Sequence, residues 1–96
     1  MAIVMLSDIP GLTQEQYDTV VQAVNADGAP AGSLYHVAGP IEGGWRVLEV
    51  WASQEAADAF YGSEEFRQLV AQLPQPTFSV WPAYRIDDGS SPRRAS

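Results

Sequence analysis

Residues 2–6, AIVML, form an unbroken apolar run, which predicts a buried central strand. Ser7-Asp8-Ile9-Pro10-Gly11 then reads as turn chemistry. A helix start follows. Thr13 is the expected N-cap and Gln16, three residues on, completes a capping box, with Leu12 and Tyr17 placed for a hydrophobic staple. Tyr17, Val20, Val21 and Val24 repeat at the spacing of one buried helix face, and Asp27-Gly28 offers the stop.

The stretch GSLYHVAGPIEGGWRVLEVWAS, residues 32–53, carries two strand patterns joined by glycines. A turn at Gly43-Gly44 suits a two-residue hairpin in which both positions need positive φ. Ser53 is placed to cap a helix that closes at Gly62, and Ser63 to cap another running to about Leu73. In the latter, Phe66, Leu69, Val70 and Leu73 keep the buried spacing until Pro74 and Pro76 stop it. TFSVWPAYRI, residues 77–86, is the last strand pattern, and Pro82 within it calls for an edge position or a bulge. The polar remainder, 87–96, is rich in Gly, Ser and Pro and is expected to be disordered.

The element order is thus β-α-β-β-α-β over one domain, residues 1–86. It predicts an α+β, ferredoxin-like fold: a four-stranded antiparallel sheet with the helices on one face. An antiparallel sheet covered on one side should be polar on the other. Here it is not. Trp45, Val47, Glu49 and Trp51 alternate with Arg46, Leu48 and Val50, and the first strand is apolar on both sides. Two helical segments can cover only one face, so a second copy of the sheet is the expected cover, giving a homodimer.

Composition narrows the function classes. The net charge is −7, and none of the five basic residues is a lysine. Such a surface cannot displace the counterions of nucleic acid, and anionic membranes are disfavoured likewise. The absence of cysteine removes disulfides and thiol chemistry. No run approaches a membrane span and MAIVMLSDIP lacks a signal peptide's basic start, so a cytoplasmic protein is expected.

The local pattern HVAGPIEGGWRVLEVWASQEAADAF combines a strand histidine, an AGP segment, GGWRV, an acid, VW and a helix opening S-x-E-A. With the element order and the two-faced sheet, it resembles the dimeric α+β barrel superfamily, in particular small antibiotic-biosynthesis-monooxygenase-like proteins. The resemblance spans residues 1–86. It implies a dimeric barrel and a range of activities: cofactor-free oxygenases, polyketide cyclases, isomerases and haem-degrading enzymes. The superfamily has no invariant catalytic motif, so no role passes to residues outside the quoted pattern.

His36, the only histidine, and Glu49 are the candidate catalytic pair. With the Gly43-Gly44 turn, His36 lies opposite Trp51 and diagonal to Glu49; a turn at Glu42-Gly43 would pair His36 with Glu49 directly. A slip by one residue would put them on different faces. A carboxylate beside an imidazole fixes its tautomer or favours its charged form, which suits a general base. Trp45, Trp51 and Tyr61 are expected to line a flat apolar cavity between sheet and helices, with Tyr35 or Tyr61 donating to a substrate oxygen. Deprotonating an aromatic or polyketide-like substrate there would give an enolate or phenolate able to react with dioxygen or close a ring, without metal or flavin.

Structural roles compete with that reading. A strand histidine is often a satisfied structural residue, and Glu49 could pair with Arg46 or Arg85 instead. Trp81, beside Pro82, reads as core or interface. No histidine-rich spacing suggests a metal, no lysine is present to hold haem propionates, and no glycine-rich nucleotide motif occurs. No cofactor is expected. A non-catalytic small-molecule-binding or dimerisation module is the alternative function.

Overall fold

The computed structural model describes residues 1–87 and 89. In chain order the elements are β1 (Ile3–Pro10), α1 (Gln14–Val24), β2 (Ser33–Ile41), β3 (Gly44–Trp51), α2 (Gln54–Tyr61), α3 (Glu64–Val70) and β4 (Thr77–Pro82). The strands form one antiparallel sheet in the order β2-β3-β1-β4, with the helices on one face. This is the ferredoxin-like arrangement, with the second helical segment divided at Gly62-Ser63. The expected disordered tail, 87–96, lies largely outside the described residues.

The helix starts follow the capping residues. Thr13 and Gln16 exchange both capping-box hydrogen bonds, at 3.1 and 3.0 Å. Ser53 accepts from the Ala56 amide and Ser63 from the Phe66 amide. α1 ends at Val24, the last position of its apolar stripe, whereas α3 ends at Val70, short of the expected Leu73. Asn25 caps α1 before the Asp27-Gly28 stop is reached.

Three sequence expectations are corrected. Ser7 to Pro10 is strand, not turn, because these residues pair with Val47 to Gly44, the first half of β3. Asp8 is held across that ladder by two hydrogen bonds from Arg46, at 2.6 and 2.8 Å. The chain turns only at Gly11, where φ is +84°. The last strand stops at Pro82 and does not run to Ile86, although the Ala83 amide still donates to the Ala2 carbonyl at 2.9 Å. β4 is an edge strand, the position that a proline requires.

The hairpin turns at Glu42-Gly43, not at Gly43-Gly44. Only Gly43 has positive φ, at +76°. Gly44 is already the first residue of β3, and a Cβ there would collide with the Ile9 carbonyl oxygen and sit 2.9 Å from Pro10 Cα. Close approach of two backbones, and not turn geometry, therefore requires the second glycine. The turn itself is tied to β1 by the Gly11 amide donating to the Gly43 carbonyl at 2.7 Å.

The packed core is small: Ile3, Met5, Trp51 and Ala57, with Ala56, Phe60 and Tyr61 against them. It sits at the α2 end of the sheet. Neither α1 nor α3 contains a fully buried residue. The apolar face of α1, which the spacing marks as core, is only half-buried because it looks onto a cavity. On the far side of the sheet, Val4, Leu6 and Leu48 are half-buried and Tyr35, Val37 and Trp81 are exposed, with no helix over them. Among the described residues no helix is long and apolar enough to cross a membrane.

Candidate functional site

The Glu42-Gly43 turn sets the register that builds the site. It places His36 directly opposite Glu49 on adjacent strands, the second of the two pairings open in the sequence. Met5, the β1 partner of Glu49, packs in the core with Ala57 of α2 and marks this as the helix-covered face. Glu49 is buried at 7 % exposure, on a strand where its neighbours Val47, Val50 and Trp51 are also buried.

A buried carboxylate needs its oxygens occupied. Glu49 Oε2 lies 3.0 Å from His36 Nδ1, and Oε1 accepts the hydroxyl of Tyr61 from the end of α2. Arg46 is committed to Asp8, and Arg85 pairs with Asp87, so neither neutralises Glu49. Because the carboxylate can only accept, His36 Nδ1 must carry the proton. In the neutral ring Nε2 then keeps its lone pair, and the Tyr17 hydroxyl, reaching down from α1 to within 2.6 Å, donates to it. Four side chains thus form one chain of hydrogen bonds: Tyr17, His36, Glu49, Tyr61.

The phenols are held in their neutral, donating form. Burial, then the charge of Glu49 and its hydrogen bond, push the Tyr61 hydroxyl far above the usual tyrosine range. Tyr17 is raised as well, first by burial and then by the charges of Glu49 and Asp18. Ring packing fixes them in place. Tyr17 lies against the His36 ring at 5.9 Å and the Trp45 ring at 5.2 Å between centroids, and Tyr61 meets Phe66 edge-on at 5.2 Å.

His36, Glu49, Tyr17 and Tyr61 all lie on the wall of a cavity of about 350 Å³ between the sheet and α1 and α3. The rest of that wall is mainly aliphatic and aromatic, including Val20, Val24, Val47, Phe60, Phe66 and Phe78, and it contains no arginine. A neutral, largely apolar guest fits such a wall; an anionic one finds no counter-charge. Among the described residues no cluster of His, Cys, Asp and Glu could hold a metal ion.

The sequence-derived candidates are thus partly assembled. His36, Glu49 and Tyr61 converge. Tyr35 borders the cavity, but its register position opposite Val50 is out of phase with His36. Trp51 is fully buried in the core against Phe60, and Trp45 backs Tyr17; neither is part of the cavity wall. Both tryptophans support the site from behind. Tyr17 is the member that the sequence did not single out. The signal was present: it is the one hydroxyl in an otherwise aliphatic stripe, and a buried phenol seeks a partner.

No family model matches the chain, and no curated protein matches it. Solved structures do. A mutant of SnoaB from Streptomyces nogalater, described as a cofactor-independent oxygenase, superposes with a TM-score of 0.65 at 11 % identity, covering 88 % of this chain and 94 % of that one. A Caulobacter crescentus protein provisionally named an antibiotic biosynthesis monooxygenase gives 0.69 at 18 % identity, over 88 % and 91 %. Rv0793 from Mycobacterium tuberculosis gives 0.66 at 17 % identity, over 94 % and 100 %. The chain has the ferredoxin-like α+β fold of the antibiotic-biosynthesis-monooxygenase-like proteins.

Proposed function

We propose that the protein is a cofactor-independent enzyme that deprotonates an aromatic or polyketide-like small molecule, as a monooxygenase or a cyclase. The observation that carries this reading is the orientation of His36: Nδ1 is held by the Glu49 carboxylate, and Nε2 is kept as an acceptor at an apolar cavity wall. In this reading His36 is the general base. Glu49 fixes its tautomer and stabilises the imidazolium that forms when a proton arrives. The enolate or phenolate left on the substrate then reacts with dioxygen or closes a ring. The likeness to a cofactor-independent oxygenase supports the same reading.

A purely structural histidine would have its nitrogens satisfied by backbone groups; here both partners are side chains at a cavity. That favours catalysis over the alternative of a non-catalytic binding module. The test is aerobic incubation with a panel of neutral polycyclic phenols and polyketones, read by product mass. Gain of oxygen marks a monooxygenase and loss of water a cyclase. His36→Ala should abolish either conversion, and retained turnover in that variant would remove His36 from the mechanism.

The same proposal includes a second copy of the chain. The uncovered sheet face presents Val4, Leu6, Val37, Leu48 and Trp81. Burying ~400 to 600 Å² of such surface per subunit contributes about 10 kcal/mol or more before the costs of association, at about 25 cal/mol/Å². A cytoplasmic homodimer serving secondary metabolism is the setting that this reading implies.

A further inference from the structure

We propose that the substrate's proton reaches His36 through Tyr17, whose hydroxyl is the group that touches the substrate. This rests on His36 being the base. Its physical ground is that the imidazole has no free valence: Glu49 occupies Nδ1 and the Tyr17 hydroxyl occupies Nε2 at 2.6 Å. A guest in the cavity therefore meets the phenol oxygen of Tyr17, which has donated its own proton and still has lone pairs to accept another. Tyr61 also lines the cavity, but its hydroxyl donates to Glu49, so a proton passed through it would reach the carboxylate and not His36.

The transfer balances without any further reactant. The O–H or acidic C–H bond of the substrate breaks and its proton binds to Tyr17 Oη. At the same time the original Tyr17 proton moves to His36 Nε2. Tyr17 ends neutral, as it began; the substrate carries the negative charge and the imidazolium the positive one, beside the Glu49 carboxylate. Burial and the nearby charges of Glu49 and Asp18 hold Tyr17 protonated, so a free tyrosinate does not accumulate and the two proton movements run together. The stacking of Tyr17 between the His36 and Trp45 rings keeps its oxygen in line for this passage. The substrate class follows: a neutral molecule whose acidic hydrogen can be presented to a phenol oxygen near the mouth of α1.

The single histidine makes the test unambiguous, since one imidazole gives one pair of nitrogen signals. The full chain, labelled with ¹⁵N-histidine, is compared with Tyr17→Phe and His36→Ala, and 2-naphthol serves as the probe. In the free wild type the neutral ring should be the Nδ1–H tautomer. Tyr17→Phe should keep that tautomer and move the Nε2 resonance to that of an unbonded nitrogen. An unmoved Nε2 resonance would overturn the relay.

With naphthol, the wild type should lower the apparent pKa of the bound hydroxyl by about one unit or more, a tenfold gain in acidity. Tyr17→Phe should bind it within about tenfold of wild type, the range of one lost hydrogen bond, yet lose that gain in acidity. If Tyr17→Phe ionises naphthol as well as the wild type does, the proton goes to His36 directly and the relay is wrong. If the wild type fails to bind or acidify naphthol, or His36→Ala acidifies it equally, the base itself is wrongly assigned and the relay falls with it.

Discussion

His36 and Glu49 face each other directly across the β2–β3 ladder, with Nδ1 and Oε2 3.0 Å apart. The pair is asymmetric in its surroundings, with side-chain exposures of 38 % for the histidine and 9 % for the carboxylate. In the proposed mechanism the buried member is the anchor and the accessible member the tool. Replacing His36 by Gln should leave the fold intact and lower turnover of an identified substrate by about 10²- to 10⁴-fold, the usual worth of a positioned base. Circular dichroism and steady-state rates together check this.

Glu49→Gln tests the anchor. The amide can still accept from one partner, but it no longer stabilises an imidazolium, so turnover of an identified substrate should fall while the fold holds. Glu49→Ala should be worse for stability. It leaves the half-buried Tyr61 hydroxyl without an acceptor, at about 1–3 kcal/mol, and hands the more accessible His36 Nδ1 to water. Steady-state rates and urea unfolding separate the two effects.

Tyr61 makes stability depend on alkaline pH. Its folded-state pKa is raised, so the folded protein holds this proton more tightly than the unfolded chain does. The contribution is complete below the ordinary tyrosine pKa of about 10 and declines above it, by about 1.4 kcal/mol per pH unit, until the folded pKa is reached. Urea midpoints of the wild type should therefore fall more steeply above pH about 10 than those of Tyr61→Phe. Parallel curves for the two proteins would contradict the buried hydrogen bond.

The uncovered sheet face predicts self-association. Val37→Glu, on the β2 edge of that face and opposite Leu48, should convert the proposed dimer into monomer in sedimentation at micromolar concentration. A wild type that sediments as a folded single chain would leave the apolar face without its proposed cover.

Gly44→Ala should destabilise the protein by about 1–3 kcal/mol, the typical cost of forcing extra volume into a close contact. The methyl group has no room beside the Ile9 carbonyl, and β1 and β3 must part at that end. Gly43→Ala should cost less space and act mainly through its positive φ. Thermal melts of the two variants distinguish close approach from turn strain.

Much of the fold was legible because local chemistry dictates it. Thr13, Ser53 and Ser63 cap the helices where the residue pattern places them, and Pro82 marks an edge strand. The hairpin register was harder. Gly43 and Gly44 look alike in a sequence, and only the packing of β3 on β1 assigns one to the turn and the other to the close contact. The site divides similarly. His36 and Glu49 are chemically conspicuous on their strand, whereas Tyr17 shares a helix stripe with valines and acquires its partner only when α1 lies across the sheet. Trp51 misleads in the opposite sense: its size suggests a cavity wall, but full burial makes it a wedge in the core.

The valine stripe of α1 borders empty space, so part of the protein's packing is left for a guest to supply. A molecule that fills the space should raise the melting temperature in proportion to the logarithm of its concentration. Warming the protein with candidate compounds is thus a way to recognise a ligand without any assay of turnover, because recognition and cohesion draw on the same unfinished interior.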